Sequence, residues 1–190
     1  GNWDTPQTVT VTAVNDAIVE GSHTGTITHS ASGGGYGSVV IDDVVADVTD
    51  NDTASVTVTE AASSTDVVEG GATDTYDVVL DLEPSGIVSI TVSPDSQVNI
   101  STTTLIFTTG NWSTPQTVIV SAVNDVVVEF SPHNGTTTHS ASGGSYDGVS
   151  IASVVANITD DDASVTVTET GGSTDVTENR PTDTYDVVLD

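Results

Sequence analysis

Thr73-Asp74-Thr75-Tyr76-Asp77-Val78-Val79-Leu80-Asp81 recurs unchanged as Thr182-Asp183-Thr184-Tyr185-Asp186-Val187-Val188-Leu189-Asp190, 109 positions later. Within it Tyr76, Val78 and Leu80 fall on alternate positions, the period of a strand with one buried face. A second match lies at the same offset: Gly1-Asn2-Trp3-Asp4-Thr5-Pro6-Gln7-Thr8-Val9 returns as Gly110-Asn111-Trp112-Ser113-Thr114-Pro115-Gln116-Thr117-Val118. The offset grows to 110 between His29-Ser30-Ala31-Ser32 and His139-Ser140-Ala141-Ser142, through one extra residue near Pro132. It returns to 109 because Thr53 has no counterpart before Ala163. A period of this length is one β-domain, well above the roughly 20 to 50 residues of a solenoid unit.

The alternation continues through Val56 and Val58, through Val88, Ile90 and Val92, through Leu105 with Phe107, and through Val118 with Val120. Thr-Gly, Gly-Gly, Ser-Pro and Asn-Gly steps separate these runs at intervals that suit a sandwich of about seven strands. Val and Thr dominate, Leu occurs four times and Lys never. That mixture disfavours helices and suits pleated, half-buried surfaces, so the chain is expected to be all-β, a series of immunoglobulin-like antiparallel β-sandwiches. Asp50-Asn51-Asp52 and Asp160-Asp161-Asp162 each precede a fresh alternating run, Ala54 to Thr59 or Ala163 to Thr168. With boundaries there, residues 53–162 form a complete unit, 1–52 the C-terminal half of the unit before it, and 163–190 the first strands of the unit after it. Half a sandwich exposes unpaired strand edges. The sequence therefore predicts that the covalent protein continues at both ends, or that neighbouring copies complete the broken units. Trp112, in the turn before the Gln116 to Val123 run, is expected to plug a domain end.

The formal net charge is −27, with a single basic side chain, Arg180. Such a chain has almost nothing with which to neutralise phosphates, which argues against nucleic acid and anionic lipid as partners. Its natural partners are cations. Cysteine is absent, so neither disulfides nor thiolate metal sites can staple the fold. No apolar run reaches the length of a membrane span, and the chain opens without a charged and apolar leader.

Asp outnumbers Glu 21 to 7, and many of the Asp stand at strand ends. Short carboxylates converging on one loop cluster are what a hard cation needs, since calcium takes about six to eight oxygen ligands. Three groups speak against a merely solvated acidic surface. The Asp160-Asp161-Asp162 run would repel itself strongly without a cation. Asn124-Asp125, followed by Glu129, ends the Gln116 to Val123 strand at the same tip. Glu69 precedes the Tyr76 strand and starts at that tip by antiparallel alternation, with Glu60 and Asp66 in the same loop.

Glu69-Gly70-Gly71 before one alternating strand, Phe107-Thr108-Thr109-Gly110 before another, Asn124-Asp125 with Glu129, and the terminal Ile158-Thr159-Asp160-Asp161-Asp162 together resemble the Calx-β domain. That is a calcium-binding β-sandwich of sodium/calcium exchangers, an integrin β chain and long bacterial surface proteins. The resemblance covers nearly all of residues 53–162 and part of each flanking fragment. It implies Ca2+ ligands at Glu69, Asp125, Glu129, Asp160, Asp161 and Asp162, with Asn124 standing where the exchangers have an acid. In the preceding fragment it implies Asp16, Glu20, Asp50 and Asp52, with Asn15 and Asn51 at acidic positions. Glu178 is the matching residue of the third. The Asn substitutions lower the ligand charge, and one or two ions per junction is the expectation.

Other constellations carry less. Gly33-Gly34-Gly35-Tyr36-Gly37 lacks the Lys and the helix of a phosphate loop and reads as a hairpin loop. His23 with His29, and His133 with His139, are six residues apart on Thr-rich strands, about 20 Å, which suits a surface feature better than a metal site. No nucleophile elbow appears, and the paired acids cluster at a tip, not across a cleft, so no enzyme activity is expected. Asn51, Asn99, Asn111, Asn134 and Asn157 head N-glycosylation patterns, of which several arise by chance in so polar a chain. Near-identical domains in series with acids at each joint point to a structural repeat of a secreted or surface-attached filament or adhesin stalk, stiffened by calcium, whose partners are neighbouring copies. The alternatives are a calcium-sensing regulatory module attached to another domain, or a binding module using Tyr36, Tyr146 and Trp112.

Overall fold

The computed structural model describes residues 1–163, 165–179 and 182–189. Ser164, Arg180, Pro181 and Asp190, which fall in the expected third fragment, lie outside the described residues. In chain order, the first 52 residues hold β1 (Ile18–Val19), β2 (His23–Ile27) and β3 (Val44–Val48). Next come β4 (Val56–Glu60), β5 (Thr65–Val68), β6 (Asp74–Leu80), β7 (Glu83–Pro84) and β8 (Val88–Pro94). They are followed by β9 (Val98–Ile100), β10 (Thr104–Phe107), β11 (Gln116–Ala122), β12 (His133–Ser142) and β13 (Val154–Thr159). The last two are β14 (Val165–Glu169) and β15 (Tyr185–Leu189).

Two sheets built wholly from β4 to β13 face each other, one with strand order β10-β8-β12-β13-β5 and the other β4-β6-β11-β9. Their inward residues are those the alternation marks: Tyr76, Val78, Leu80, Val88, Ile90, Val92, Leu105, Phe107, Val118 and Val120 are all buried. This is a β-sandwich, whose two inner faces interdigitate in one apolar core. The count of strand segments exceeds the seven expected because two runs break and change sheets. After β4 the chain makes a single tight turn at Ala61–Ser63, where Ala62 and Ser63 have positive φ, and resumes as β5 in the opposite sheet. Likewise β9 pairs with β11, whereas β10 pairs with β8.

The pairing is also not wholly antiparallel. β5 runs parallel to β13 and β1 runs parallel to β7. The end of the sandwich where β6 and β12 finish is closed by aromatic side chains. Trp112 is partly buried against the core, in keeping with a plug. Tyr146 is fully buried and its hydroxyl donates to the Leu82 carbonyl at 2.7 Å. That removes it from any exposed binding face and corrects its place in the binding-module reading; only Tyr36 of that trio is well exposed.

Apart from β1, the strands of the flanking fragments pair within their own fragment and lack a facing sheet. β2 pairs with β3 in the register of β12 with β13, Gly25 opposite Ala46 as Gly135 is opposite Ala156. β14 pairs with β15, Val165 opposite Leu189 as Val56 is opposite Leu80. The apolar residues of these two hairpins are not sealed in a core: Val44 is 49% exposed, whereas its counterpart Val154 is 1% exposed.

Gly25 and Gly135 make the difference testable. A Cβ on Gly135 would lie 2.5 Å from Val98 Cγ1, on the facing sheet, whereas one on Gly25 meets nothing within 4 Å. Gly135→Ala is expected to overpack the core and cost about 1–3 kcal/mol, read as a lower urea midpoint. Gly25→Ala should leave that midpoint unchanged.

Candidate metal centre

Four strand ends meet at one tip of the sandwich. β13 leaves that tip as Asp160-Asp161-Asp162, and β5, being parallel to it, exits there too. The Glu69 N–H donates to the Thr159 carbonyl at 3.0 Å, so the ladder carries Glu69 directly beside the acidic run. β12 starts at the same tip, His133 opposite Ile158, and β11 ends there at Asn124-Asp125. Gly70 has φ of +60° and turns the chain immediately after Glu69. A Cβ on it would stand 2.9 Å from Asp161 Oδ2 and 3.4 Å from Asn124 Oδ1, so both side chains close over the turn.

Ligand oxygens of Glu69, Asp160, Asp161 and Asp162 all lie within 4.8 Å of one another. Glu69 is only 2% exposed, and Asp162 Oδ2 is buried with no hydrogen-bond partner. A buried carboxylate oxygen left unpaired costs free energy unless a cation or a proton satisfies it. Burial is the main cause that pushes the Glu69 carboxyl above the usual carboxylate range, with Asp160, Asp125 and Glu129 adding repulsion against the Asp125 N–H. Asp162 is raised too, by desolvation first and then by Asp160, Asp161, Asp125 and Glu129. Asp160 is pulled the other way, because the N–H groups of Asp162 and Glu129 donate to it at 3.0 and 2.8 Å. The tip thus combines a carboxylate tied to backbone amides with two that are starved of positive partners. All-oxygen donors of high negative charge suit a hard divalent cation such as calcium.

The remaining expected ligands divide. Glu129 faces a second group, in which its Oε2 lies 3.0 Å from His133 Nε2, with Glu69 Oε1 at 3.9 Å from that nitrogen. Glu129 Oε1 accepts from Gln97 Nε2 at 2.9 Å. Asp125 commits Oδ1 to the Val127 N–H at 2.7 Å and acts on the cluster through its charge. Glu60 and Asp66 are elsewhere: Glu60 accepts from the Thr65 hydroxyl, and Asp66 accepts from Ser64 and Asn157.

His133 is the residue that the reading of the His pairs missed. It is no surface feature, its side chain being 15% exposed against Glu129. The available signal was its place four residues after Glu129 at the start of the strand antiparallel to the one ending at Asp160. His139 is set apart from it: its Nε2 shares a 2.8 Å hydrogen bond with the Tyr76 hydroxyl, and burial holds it below the ordinary imidazole value.

At the tip of residues 1–52 the backbone scaffold is the same. Asp50 Oδ2 accepts from the N–H of Glu20 at 2.8 Å, its Oδ1 from Asp52 at 2.9 Å, and Asp16 Oδ1 from Ile18 at 2.9 Å. Yet Asp16, Glu20, Asp50 and Asp52 do not form a close group of three among the described residues, and Glu20 remains 41% exposed beside His23 at 3.7 Å. That tip lacks a counterpart of Glu69, and Asn51 stands where the other tip has Asp161. Glu178 is exposed and likewise joins no such group.

No protein-family model and no curated protein matches the chain. Among solved structures it is similar to a crystal structure of an apo-form Calx CBD1 domain, at 18% identity and a TM-score of 0.41, over 56% of this chain and 98% of that one. A similarity that low carries no function across. No helix of the described residues is long and apolar enough to cross a membrane.

Replacing Glu69 by Gln keeps an acceptor for the Asp125 N–H and removes the buried charge. In chelator at pH 7, Glu69→Gln is expected to raise the melting temperature by about 3–6 °C, the effect of roughly 1 kcal/mol in a domain of this size. A raised folded-state pKa means that ionisation penalises the folded form as pH rises through the window above the ordinary carboxylate value. The advantage of the variant over wild type should therefore shrink as pH falls toward that value, measured as paired thermal melts.

Proposed function

We propose that the chain is a structural repeat whose units bind calcium at their tips and stand in series as a stiff, secreted or surface-attached stalk or filament. The observation that carries the reading is the buried, unpartnered Asp162 Oδ2, set beside the buried carboxyl of Glu69 and two further aspartates. Such a tip is incomplete electrostatically without a cation. Glu69, Asp160, Asp161 and Asp162 would hold the ion, with Glu129 and Asp125 lending charge or a further oxygen.

The tip stands where one unit meets the next, since Asp160-Asp161-Asp162 leads into β14 after two residues or so of intervening chain. Without an ion, carboxylates on opposite sides of so short a joint repel each other and let the units swing. With an ion they are neutralised and the tip loops are fixed. Millimolar calcium outside cells suits the weaker, extracellular class of site. The net charge of −27 leaves such a fibre soluble and averse to polyanions. Edge strands of the flanking fragments suit neighbouring copies as partners, because their apolar faces match those buried in the complete unit.

Calcium that binds only the folded state adds about 2.7 kcal/mol at a hundredfold excess over Kd. Thermal unfolding of the 190-residue chain in calcium against chelator should therefore show a rise of roughly 8–16 °C. The double change Asp161→Asn and Asp162→Asn should abolish that rise. An equal melting temperature with and without calcium would end the reading.

A further inference from the structure

The loop that carries the tip acids also carries apolar residues, and the two copies of that loop differ in whether those residues are covered. In the first copy Ile18–Val19 forms β1 and lies parallel to β7, Ile18 opposite Glu83 and Val19 opposite Pro84. β7 belongs to the following unit, so this short ladder spans a junction between repeats. Val19 is 4% exposed and joins the core of the sandwich, and Pro84 is buried. Proline has no N–H to continue a ladder, which ends the pairing after two residues.

In the second copy the turn keeps two of the same hydrogen bonds. Asp125 Oδ1 accepts from Val127 N–H at 2.7 Å as Asp16 Oδ1 accepts from Ile18 N–H at 2.9 Å. Asp160 Oδ2 accepts from Glu129 N–H as Asp50 Oδ2 accepts from Glu20 N–H, both at 2.8 Å. Val127 and Val128 therefore stand where Ile18 and Val19 stand, yet they are 57% and 48% exposed. Val126 and Phe130 beside them are 88% and 94% exposed. Four large apolar side chains within five residues of an acidic loop are out of place facing water.

We propose that Val127–Val128 is a docking strand for the next copy of the repeat, pairing in parallel with that copy's equivalent of Glu83–Pro84. The occupant follows from the chain itself: Thr182 to Asp190 repeats Thr73 to Asp81, the strand that leads into β7, so a following unit presents the same edge at the same offset. The inference rests on the reading of units in series and not on the identity of the ion. It gives each junction a fixed rotation, because a parallel pair seated by Val19 or Val128 defines one face of contact. It also couples docking to the acids, since Asp125 and Glu129 flank the docking strand and hold its turn.

The absence of cysteine makes a single introduced thiol a clean probe. In the 190-residue chain, Val19→Cys should react with a thiol reagent at least about tenfold more slowly than Val128→Cys, since a shielded thiol waits on local opening. In a chain lengthened by one further repeat, Val128→Cys should slow to the rate of Val19→Cys, and replacing the added copy's equivalents of Glu83 and Pro84 by Gly should restore fast reaction. Hydrogen exchange of the peptide spanning 126–130 in the unsubstituted short and long chains gives the same comparison without a mutation. Both readouts are taken in calcium and in chelator: shielding in either condition supports the docking strand, whether or not melting responds to calcium. Equal, fast reaction of Val128→Cys in short and long chains under both conditions, or shielding that survives the Gly replacements, overturns it.

Discussion

The parallel ladder between β5 and β13 is the constraint on which the rest of the unit depends. It closes the edge of the five-stranded sheet, and it forces two chain segments some ninety residues apart to leave the sandwich at the same end. Had β4 continued straight, Glu69 would have emerged elsewhere. The turn at Ala61–Ser63 moves the chain across to the other sheet, and the bond from Glu69 N–H to the Thr159 carbonyl then fixes the buried carboxyl beside Asp160. Backbone pairing, not attraction among side chains, brings these acids together, since every one of them repels its neighbours.

That origin explains why the carboxylates at the tip are of two kinds. Asp160 faces inward to the loop and collects the N–H groups of Glu129 and Asp162, so its negative charge is welcomed. Glu69 and Asp162 face each other and the remaining acids with little donor support, so theirs is opposed. The first kind organises the loop without help. The second leaves a concentration of negative potential in a partly dry place, which is the physical demand that a cation would meet. The same loop also holds an apolar pair at its outer side, so charge and docking surface are fixed by one set of turns.

Much of the core was legible. Inward positions of β6, β8, β10 and β11 follow directly from a period of two, because a strand with one covered face shows that period whatever its neighbours are. The convergence of Glu69 with Asp160, Asp161 and Asp162 was legible too, from strand ends and alternation. What escaped reading depends on partners remote in sequence. Nothing local in Thr65 to Val68 announces a parallel partner at Ala156 to Thr159, and nothing local in Tyr146 announces the Leu82 carbonyl that takes its hydroxyl. His133 escaped because spacing was considered along its own strand, whereas its neighbour Glu129 is reached across a turn.

The two copies of one motif separate what each level determined. Gln7-Thr8-Val9-Thr10-Val11-Thr12-Ala13 and Gln116-Thr117-Val118-Ile119-Val120-Ser121-Ala122 carry the same alternation and nearly the same residues. The second is β11, paired on both edges, with Val118 and Val120 fully buried; the first forms no strand, and Val9 is 74% exposed. The sequence by itself determined the repeat, the faces and the placing of acids at strand ends, because periodicity and charge are local properties. Tertiary structure alone decided which copy becomes a strand, which acids are buried and which valine pair is covered. A strand's hydrogen bonds and its apolar contacts are both made to another segment, so the same residues form a strand only where that segment is present.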